Sequence, residues 1–486
     1  MYDEALEKIS KIKKSKKVFS INQIIIVNED KTFNDVVLLN DLNTNILDKR
    51  LSIYGMGFVG LTLGLVMASR GFRVTGIDIN RPVIEDLKIN RPHFFENGLD
   101  SLLETCNSNN LISFSTDFDR VISDVYIVAV GTPIDKNHKT DLSHINSITK
   151  ALSKKIKEGD LVIYRSTLPM GTVRNIIIPI LEKSGLECGS EFHVSFAPER
   201  TVEGKAIEEV QSLPQIVGGF SSKCKDLTSS IFKEITSTIV EVDSLEAAEM
   251  VKLLNNTYRD LVFSFANEVS NICEQYNLNA FNLIEAANEG YPRNPIPKPS
   301  PGIGGICLSK DPYLYTNSTD PQHYVPILGK ASRKINENGG HYVFKKIQNY
   351  CNKIGKDIDD LKITIFGLAF KGTPETSDIR ESMAVKLIEK LPNRNNIYVK
   401  DFVVSKQDIT GLNVNYVDDL ETAFAKKDVI IFMNNHYMNN KFDYFKYVKL
   451  MNKSPLVFDG WNLFRANEIE KINASYYATM GYMTDR

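Results

Sequence analysis

Leu51-Ser-Ile-Tyr54-Gly55-Met-Gly57-Phe58-Val59-Gly60 is the stretch that decides the fold. A short strand, 51–54, runs straight into G-x-G-x-x-G, an apolar-periodic helix follows through Arg70, and a second strand, 73–77, ends on Asp78. A lone G-x-G-x-x-G says little, but between strand and helix, with an acid about 20 residues on, it is the dinucleotide fingerprint. Its glycines permit a tight turn and let a pyrophosphate reach the helix N-terminus, where free N–H groups and the dipole favour negative charge. Asp78 would accept from both ribose hydroxyls and repel a 2′-phosphate, which favours NAD over NADP. The expected cofactor contacts are Gly55, Gly57, Phe58, Val59, Gly60 and Asp78.

Outward from this unit, strands of the buried parallel type are expected at 125–130 and 161–164, with helical segments between them. They end in Gly131-Thr132-Pro133 and Arg165-Ser166-Thr167-Leu-Pro169. Ligands bind at the carboxyl ends of such strands, so Thr132 and Thr167 are either hydroxyl contacts near a nicotinamide or ordinary turn residues. A further strand at 192–196 delivers Ala197-Pro-Glu199-Arg-Thr-Val-Glu203-Gly204, whose two glutamates are solvated loop charges or a general base and a substrate contact.

The longest helical pattern spans 243–276 and opens with Asp243 and Glu246 spaced like a capping box. At 1.5 Å per residue it reaches roughly 45 Å, more than one small domain buries, so it should join two domains and carry a dimer contact. Lys252 and Asn256 lie one turn apart on it, as a solvated pair or as a polar site. After Asp357 an α/β pattern restarts: a strand at 362–366, Gly367-Leu-Ala-Phe-Lys371, a helix at 382–391, and strands at 397–400, 429–433 and 456–458. The fold class is therefore α/β, two Rossmann-like doubly wound domains joined by a long central helix and a helical dimerisation domain. The expected divisions are 1–48 (an extension of unknown role, with a possible helix at 2–14 and strands at 24–27 and 36–39), 49–240, 241–350 and 351–486.

A chain of 486 residues suggests about three domains. With a formal charge of −2 it has no global attraction for nucleic acid or an anionic membrane, so a small-molecule partner is favoured and anions must be held locally. The six cysteines show no Cys-x-x-Cys pair, which argues against zinc and a disulfide scaffold. No apolar run approaches the roughly 18 residues of a membrane span, and a cytoplasmic location is expected.

The stretch Pro301-Gly-Ile-Gly-Gly-Ile-Cys307-Leu-Ser-Lys-Asp311-Pro-Tyr313 is the candidate for covalent chemistry. Three glycines with little bulk ahead of a cysteine allow a ligand to come close to the sulfur. Asp311, four residues on, shares its side if a helix begins there, and a thiol beside a carboxylate suits covalent chemistry followed by hydrolysis. The plainer reading is a loop with a small buried cysteine.

Together these motifs, over about residues 50–486, resemble the UDP-glucose/GDP-mannose dehydrogenase family of NAD-dependent nucleotide-sugar dehydrogenases. The resemblance implies oxidation of a sugar C6 alcohol to a carboxylate with two NAD⁺, in a homodimer or higher homo-oligomer. It makes Cys307 the nucleophile and Asp311 its neighbouring acid, with Lys252 and Asn256 holding the reacting oxygen. Thr167 falls in a Ser-Thr-x-Pro turn serving catalysis and cofactor, and Glu199 and Glu203 in a Pro-Glu segment beside the thioester step and substrate. Arg293 and Gly304 become substrate contacts, Arg293 reaching a neighbouring subunit's sugar nucleotide. Lys371, toward the substrate, and Arg380, toward the cofactor, close the site from the third domain.

The glycine loop lacks the aromatic residue and the Phe-Pro-Lys-Asp typical of UDP-glucose enzymes. It looks more like the branch acting on UDP-N-acetylhexosamines such as UDP-N-acetylmannosamine or UDP-N-acetylglucosamine. The Lys371 to Arg380 spacing is about two residues longer than in many members. UDP-glucose 6-dehydrogenase is the nearest alternative, and a catalytically silent nucleotide-sugar sensor the most distant.

Overall fold

The computed structural model describes residues 23–27, 33–38, 46–293 and 295–484. The helix expected at 2–14 lies outside them. Within the extension, β1 (Gln23–Val27) and β2 (Phe33–Leu38) form an antiparallel hairpin.

The first large sheet has eight strands: β3 (Arg50–Tyr54), β4 (Arg73–Ile77), β5 (Ile112–Ser115), β6 (Val125–Val128), β7 (Leu161–Tyr164), β8 (His193–Phe196), β9 (Gln215–Gly219) and β10 (Ile239–Glu241). Their order, β10-β9-β8-β7-β6-β3-β4-β5, reverses between β3 and β6, and all pairs are parallel except β8 with β9. Strands such as Val-Tyr-Ile-Val and Leu-Val-Ile-Tyr are buried along their whole length because helices cover both faces. The fingerprint stands at the strand-order reversal, where a ligand crevice opens beyond the carboxyl ends.

The second sheet repeats the plan with β11 (Ile363–Phe366), β12 (Ile397–Lys400), β13 (Asn415–Tyr416), β14 (Val429–Phe432), β15 (Leu456–Asp459), β16 (Tyr476–Thr479) and β17 (Tyr482–Met483). Their order is β13-β12-β11-β14-β15-β16-β17, parallel except for the last pair. The two sheets are thus doubly wound, as expected, with several strands ending one or two residues earlier than the apolar runs do. The strands β5, β9, β10, β13, β16 and β17 were not anticipated, because glycine or polar residues break up their apolar runs or the strands have only two or three residues.

Between the sheets runs the helix Leu245–Glu274, somewhat shorter than expected. Its cap is Ser244, whose hydroxyl accepts from Ala247 N–H, and not Asp243. A serine in extended conformation one residue later does the same work. This helix packs along Ile306–Thr316 and Leu328–Asn336. Leu254, Tyr258, Phe265 and Ile272 stand exposed along it at helical spacing, with Tyr276 exposed just past its end. At its far end Tyr342 Oη donates to Glu274, Lys346 pairs with Glu274 at 2.6 Å, and Gly481 N–H donates to Tyr342 Oη, tying β16 and β17 to the helix. Among the described residues no helix is long and apolar enough to cross a membrane.

Candidate active site

The fingerprint turn is set by sterics. Gly55 has φ +96°, and a Cβ on Gly60 would lie 1.8 Å from the Gly55 carbonyl oxygen, so only glycine lets the helix Phe58–Ser69 pass this close. A Cβ on Gly57, the N-cap, would meet nothing, which leaves the helix N-terminus open to a ligand. Asp78 accepts from Met56 N–H at 2.7 Å and Asn80 N–H at 2.8 Å, fixing its carboxylate at the end of β4. A cavity of about 470 Å³ bounded by Gly55, Gly57, Asp78, Phe118, Gly131 and Ser147 lies beside it. The turn, the open N-terminus and the carboxylate fit a dinucleotide. Phe58 lines a second cavity, of about 330 Å³, shared with Gly57, Glu203, Thr376, Asp378 and Arg380. Val59 is half-buried in the same helix turn. Thr132 is buried and its hydroxyl donates to the Thr167 carbonyl at 2.7 Å, so it joins two strand ends rather than facing the cavity.

Gly305, at φ +84°, caps the helix Ile306–Thr316, which puts Cys307 in its first turn. The sulfur is exposed, unlike those of the other five cysteines. Protein surrounds it on most sides even so: burial and the Asp311 carboxylate push the thiol up, while Lys252 and Lys310 pull it down. The free N–H groups of the first turn also favour the thiolate. Asp311, one turn on and fully buried, accepts from Asn256 Nδ2 at 2.5 Å and from Lys310 Nζ at 2.6 Å. Lys252 is 7% exposed, and its ammonium has no hydrogen-bond partner among the described residues. An unpaired buried cation of this kind awaits an anion or a polar oxygen.

Glu199 is locked. Its Oε2 accepts from Arg165 Nε at 3.1 Å and Nη2 at 2.5 Å, and its Oε1 from the N–H groups of Arg200 and Thr201. Burial works against its charge, but Arg165, Thr201 N–H and Lys252 outweigh it and hold the carboxyl below its ordinary value. Glu203 is the opposite case: burial and Asp378 push it up against Thr376, Lys371 and Arg380. Lys371 Nζ donates to the Glu203 carbonyl at 2.5 Å, and burial brings the lysine down to about 8. Arg380 pairs with Asp378 at 2.7 Å.

Charge interactions thus link Cys307 with Asp311, Lys252, Glu203 and Arg380, and Lys252 with Glu199, while hydrogen bonds add Asn256 and Lys371, drawing on all three parts of the chain. Arg293 stands apart, exposed on the surface with its guanidinium 5.7 Å from the Tyr291 ring. Gly304 is a packing contact within the chain, its would-be Cβ 2.2 Å from the Glu381 carbonyl oxygen.

Several participants escaped the sequence reading. Glu249, two turns before Asn256, is fully buried; its carboxylate accepts from Gly171 N–H at 2.5 Å and Val173 N–H at 2.9 Å, clamping the turn after Thr167 to the long helix. Asp260 accepts from Arg333 Nη1 at 2.7 Å and Asn336 Nδ2 at 2.8 Å, and Arg333 reaches the Ile303 carbonyl, which moors the glycine loop to the same helix. Only the spacing of Glu249 and Lys252 on one helical face hinted at the first of these.

A dinucleotide fold whose cleft presents an accessible thiol beside a buried ammonium, an amide and carboxylates defines an NAD-dependent dehydrogenase. The chain belongs to the UDP-glucose/GDP-mannose dehydrogenase family. That family's NAD binding domain matches residues 49–236, its central domain 246–338 and its UDP binding domain 364–466. A UDP-N-acetyl-D-mannosamine dehydrogenase of Methanococcus maripaludis is 30% identical over 86% of this chain and 94% of its own length. One from Campylobacter jejuni is 34% identical over 71% of this chain and 84% of its own. The solved UDP-D-ManNAc dehydrogenase of Pyrococcus horikoshii superimposes with a TM-score of 0.80 at 29% identity, covering 89% of this chain and 99% of that one. The chain is thus a nucleotide-sugar dehydrogenase using NAD.

Proposed function

We propose that the protein oxidises the C6 alcohol of a UDP-N-acetylhexosamine, UDP-N-acetylmannosamine or UDP-N-acetylglucosamine, to the uronate through a bond to Cys307, for surface polysaccharide. The observation that carries the reading is the convergence of an exposed Cys307 with an unpaired buried Lys252 and the Asn256–Asp311 pair. The acetamido sugar is favoured by the names of the relatives above and by the glycine loop.

Bound NAD⁺ supplies the hydride acceptor for each of two oxidations. After the first, the Cys307 thiolate adds to the C6 aldehyde. Lys252 and Asn256, from one helix face, stabilise the resulting oxyanion by a few kcal/mol. The second oxidation leaves an acyl group on the sulfur, and water cleaves it to acid and free thiol. Of the three carboxylates, Glu199 and Asp311 have both oxygens bonded, while Glu203 keeps Oε1 without a partner among the described residues. Burial also pushes its carboxyl up and so strengthens it as a base, and Glu203 takes the proton of that water. Lys371 and Arg380 bring positive charge to the anionic ligands.

The exposed apolar stripe from Leu254 to Tyr276 covers itself against a second copy, making a homodimer in which Arg293 reaches the other site. A panel of UDP-sugars read as NADH formation tests the whole reading. Two NADH per acetamido sugar are expected, and turnover of UDP-glucose alone would reject the acetamido assignment.

A further inference from the structure

We propose that Thr376, on the third domain, is a positioning residue that aims the Glu203 carboxylate of the first domain at the attacking water. The inference rests on the role given to Glu203 above.

Thr376 is buried, and its Oγ1 lies 3.1 Å from Glu203 Oε2 and 3.1 Å from the Asp378 backbone N. The hydroxyl accepts from Asp378 N–H, which leaves its single proton for Glu203. Lys371, on the same loop, donates to the Glu203 backbone carbonyl. One loop thus grips both the main chain and the side chain of a residue on the turn that follows β8 of the first sheet. Gly204 makes the approach possible, because at φ +89° a Cβ there would stand 2.4 Å from the Glu375 carbonyl oxygen. From the opposite side Glu96 accepts from Gly204 N–H at 2.6 Å and Ala206 N–H at 2.9 Å, and Asn97 donates to the Gly204 carbonyl. The backbone around Glu203 is therefore fixed, and what remains is the rotation of its side chain. Thr376 is the one direct donor to that carboxylate among the described residues, and by holding Oε2 it determines that Oε1 is the oxygen left free.

Charged groups also face Glu203. Asp378, Lys371 and Arg380 come from the third domain and Cys307 from the helix Ile306–Thr316. They act through charge and do not choose between the two oxygens. Only the threonine bond does so.

The test uses the full-length protein, NAD⁺ and a UDP-sugar that it turns over. Glu203→Gln should abolish uronate formation. Thr376→Val removes the hydroxyl at nearly constant size. A donor to a carboxylate favours its charged form, so its loss should lower kcat about tenfold and move the acid limb of the kcat–pH profile up by about one unit, with KM for NAD⁺ unchanged. Thr376→Ser should restore both, which a purely structural role would not require. If Thr376→Val does not fold, Thr376→Ala set against Thr376→Ser makes the same comparison. Wild-type kcat and acid limb in the hydroxyl-free variant, with Glu203→Gln inactive, would overturn the positioning role alone. Full turnover by Glu203→Gln would instead remove the role of Glu203, and the inference with it.

Discussion

Replacing Gly304 by alanine adds one methyl group at the seam between the Cys307 loop and the third domain. Built on the backbone, that carbon lies 2.2 Å from the Glu381 carbonyl oxygen, 3.1 Å from the Glu381 carbonyl carbon and 3.3 Å from Ser382 Cα. The obstacle is main chain, not a side chain that could swing away, so the two segments must separate by about 1.2 Å to reach ordinary contact. Overpacking of this kind costs about 1–3 kcal/mol. The larger effect is geometric: Arg380 and the loop from Lys371 to Asp378 move away from Cys307 and Glu203, and a displacement near 1 Å at a reacting centre costs about 10²-fold in rate. The fingerprint belongs to a different sheet and is untouched. The expected result is a folded protein with NADH formation reduced about a hundredfold and, by calorimetry, a smaller loss of NAD⁺ affinity from the displacement of Arg380. Wild-type turnover in Gly304→Ala would refute the reasoning, because it would show that the third domain need not close on the glycine loop.

The remaining predictions concern the two ligand sites and the sulfur. Cys307→Ser should bind NAD⁺ normally and form no uronate, and mass spectrometry of the wild-type enzyme with substrate and NAD⁺ should show an adduct on the peptide containing Cys307; unchanged uronate production would exclude the covalent route. Gly57→Ala places its methyl in open space, so thermal unfolding should match wild type while KM for NAD⁺ rises at least tenfold, since the methyl occupies the pyrophosphate path; an unchanged KM would move the dinucleotide elsewhere. Lys371 is charged below about 8 and neutral above it, so kcat/KM for the UDP-sugar should fall as pH rises through that value, and Lys371→Arg should flatten this limb. Phe265→Glu, in the exposed stripe, should give a monomer by sedimentation; a dimer that survives it would place the interface elsewhere.

The architecture was legible because it is written in local patterns. Strand, glycine turn, helix and acid occur within thirty residues, and the fully apolar strands read as parallel and covered. Cys307, Asp311 and the Lys252–Asn256 pair, given the roles of nucleophile, acid and oxyanion contacts in the proposal above, were singled out by spacing and by resemblance. What stayed hidden was pairing over long separations. Arg165 was seen only as part of a polar turn, although it neutralises Glu199 34 residues away. Glu249 and Asp260 sit on a helix whose polar residues look solvated, yet both are sealed by groups more than 70 residues distant. Thr132 was read as either a ligand contact or an ordinary turn residue, and no local pattern could show that its hydroxyl donates to the Thr167 carbonyl 35 residues away. Period and spacing report which face a side chain is on, and only tertiary contacts report what meets it there.

The mooring of the glycine loop through Arg333 and Asp260 to the long helix has a consequence for traffic through the enzyme. The Cys307 sulfur rides on the helix Ile306–Thr316, packed along the shaft between the two lobes, and on neither lobe itself. On the covalent route proposed above, a spent cofactor leaves the first lobe and a fresh one enters while the half-oxidised sugar stays tethered at the axle, its carbon still in register for the second withdrawal.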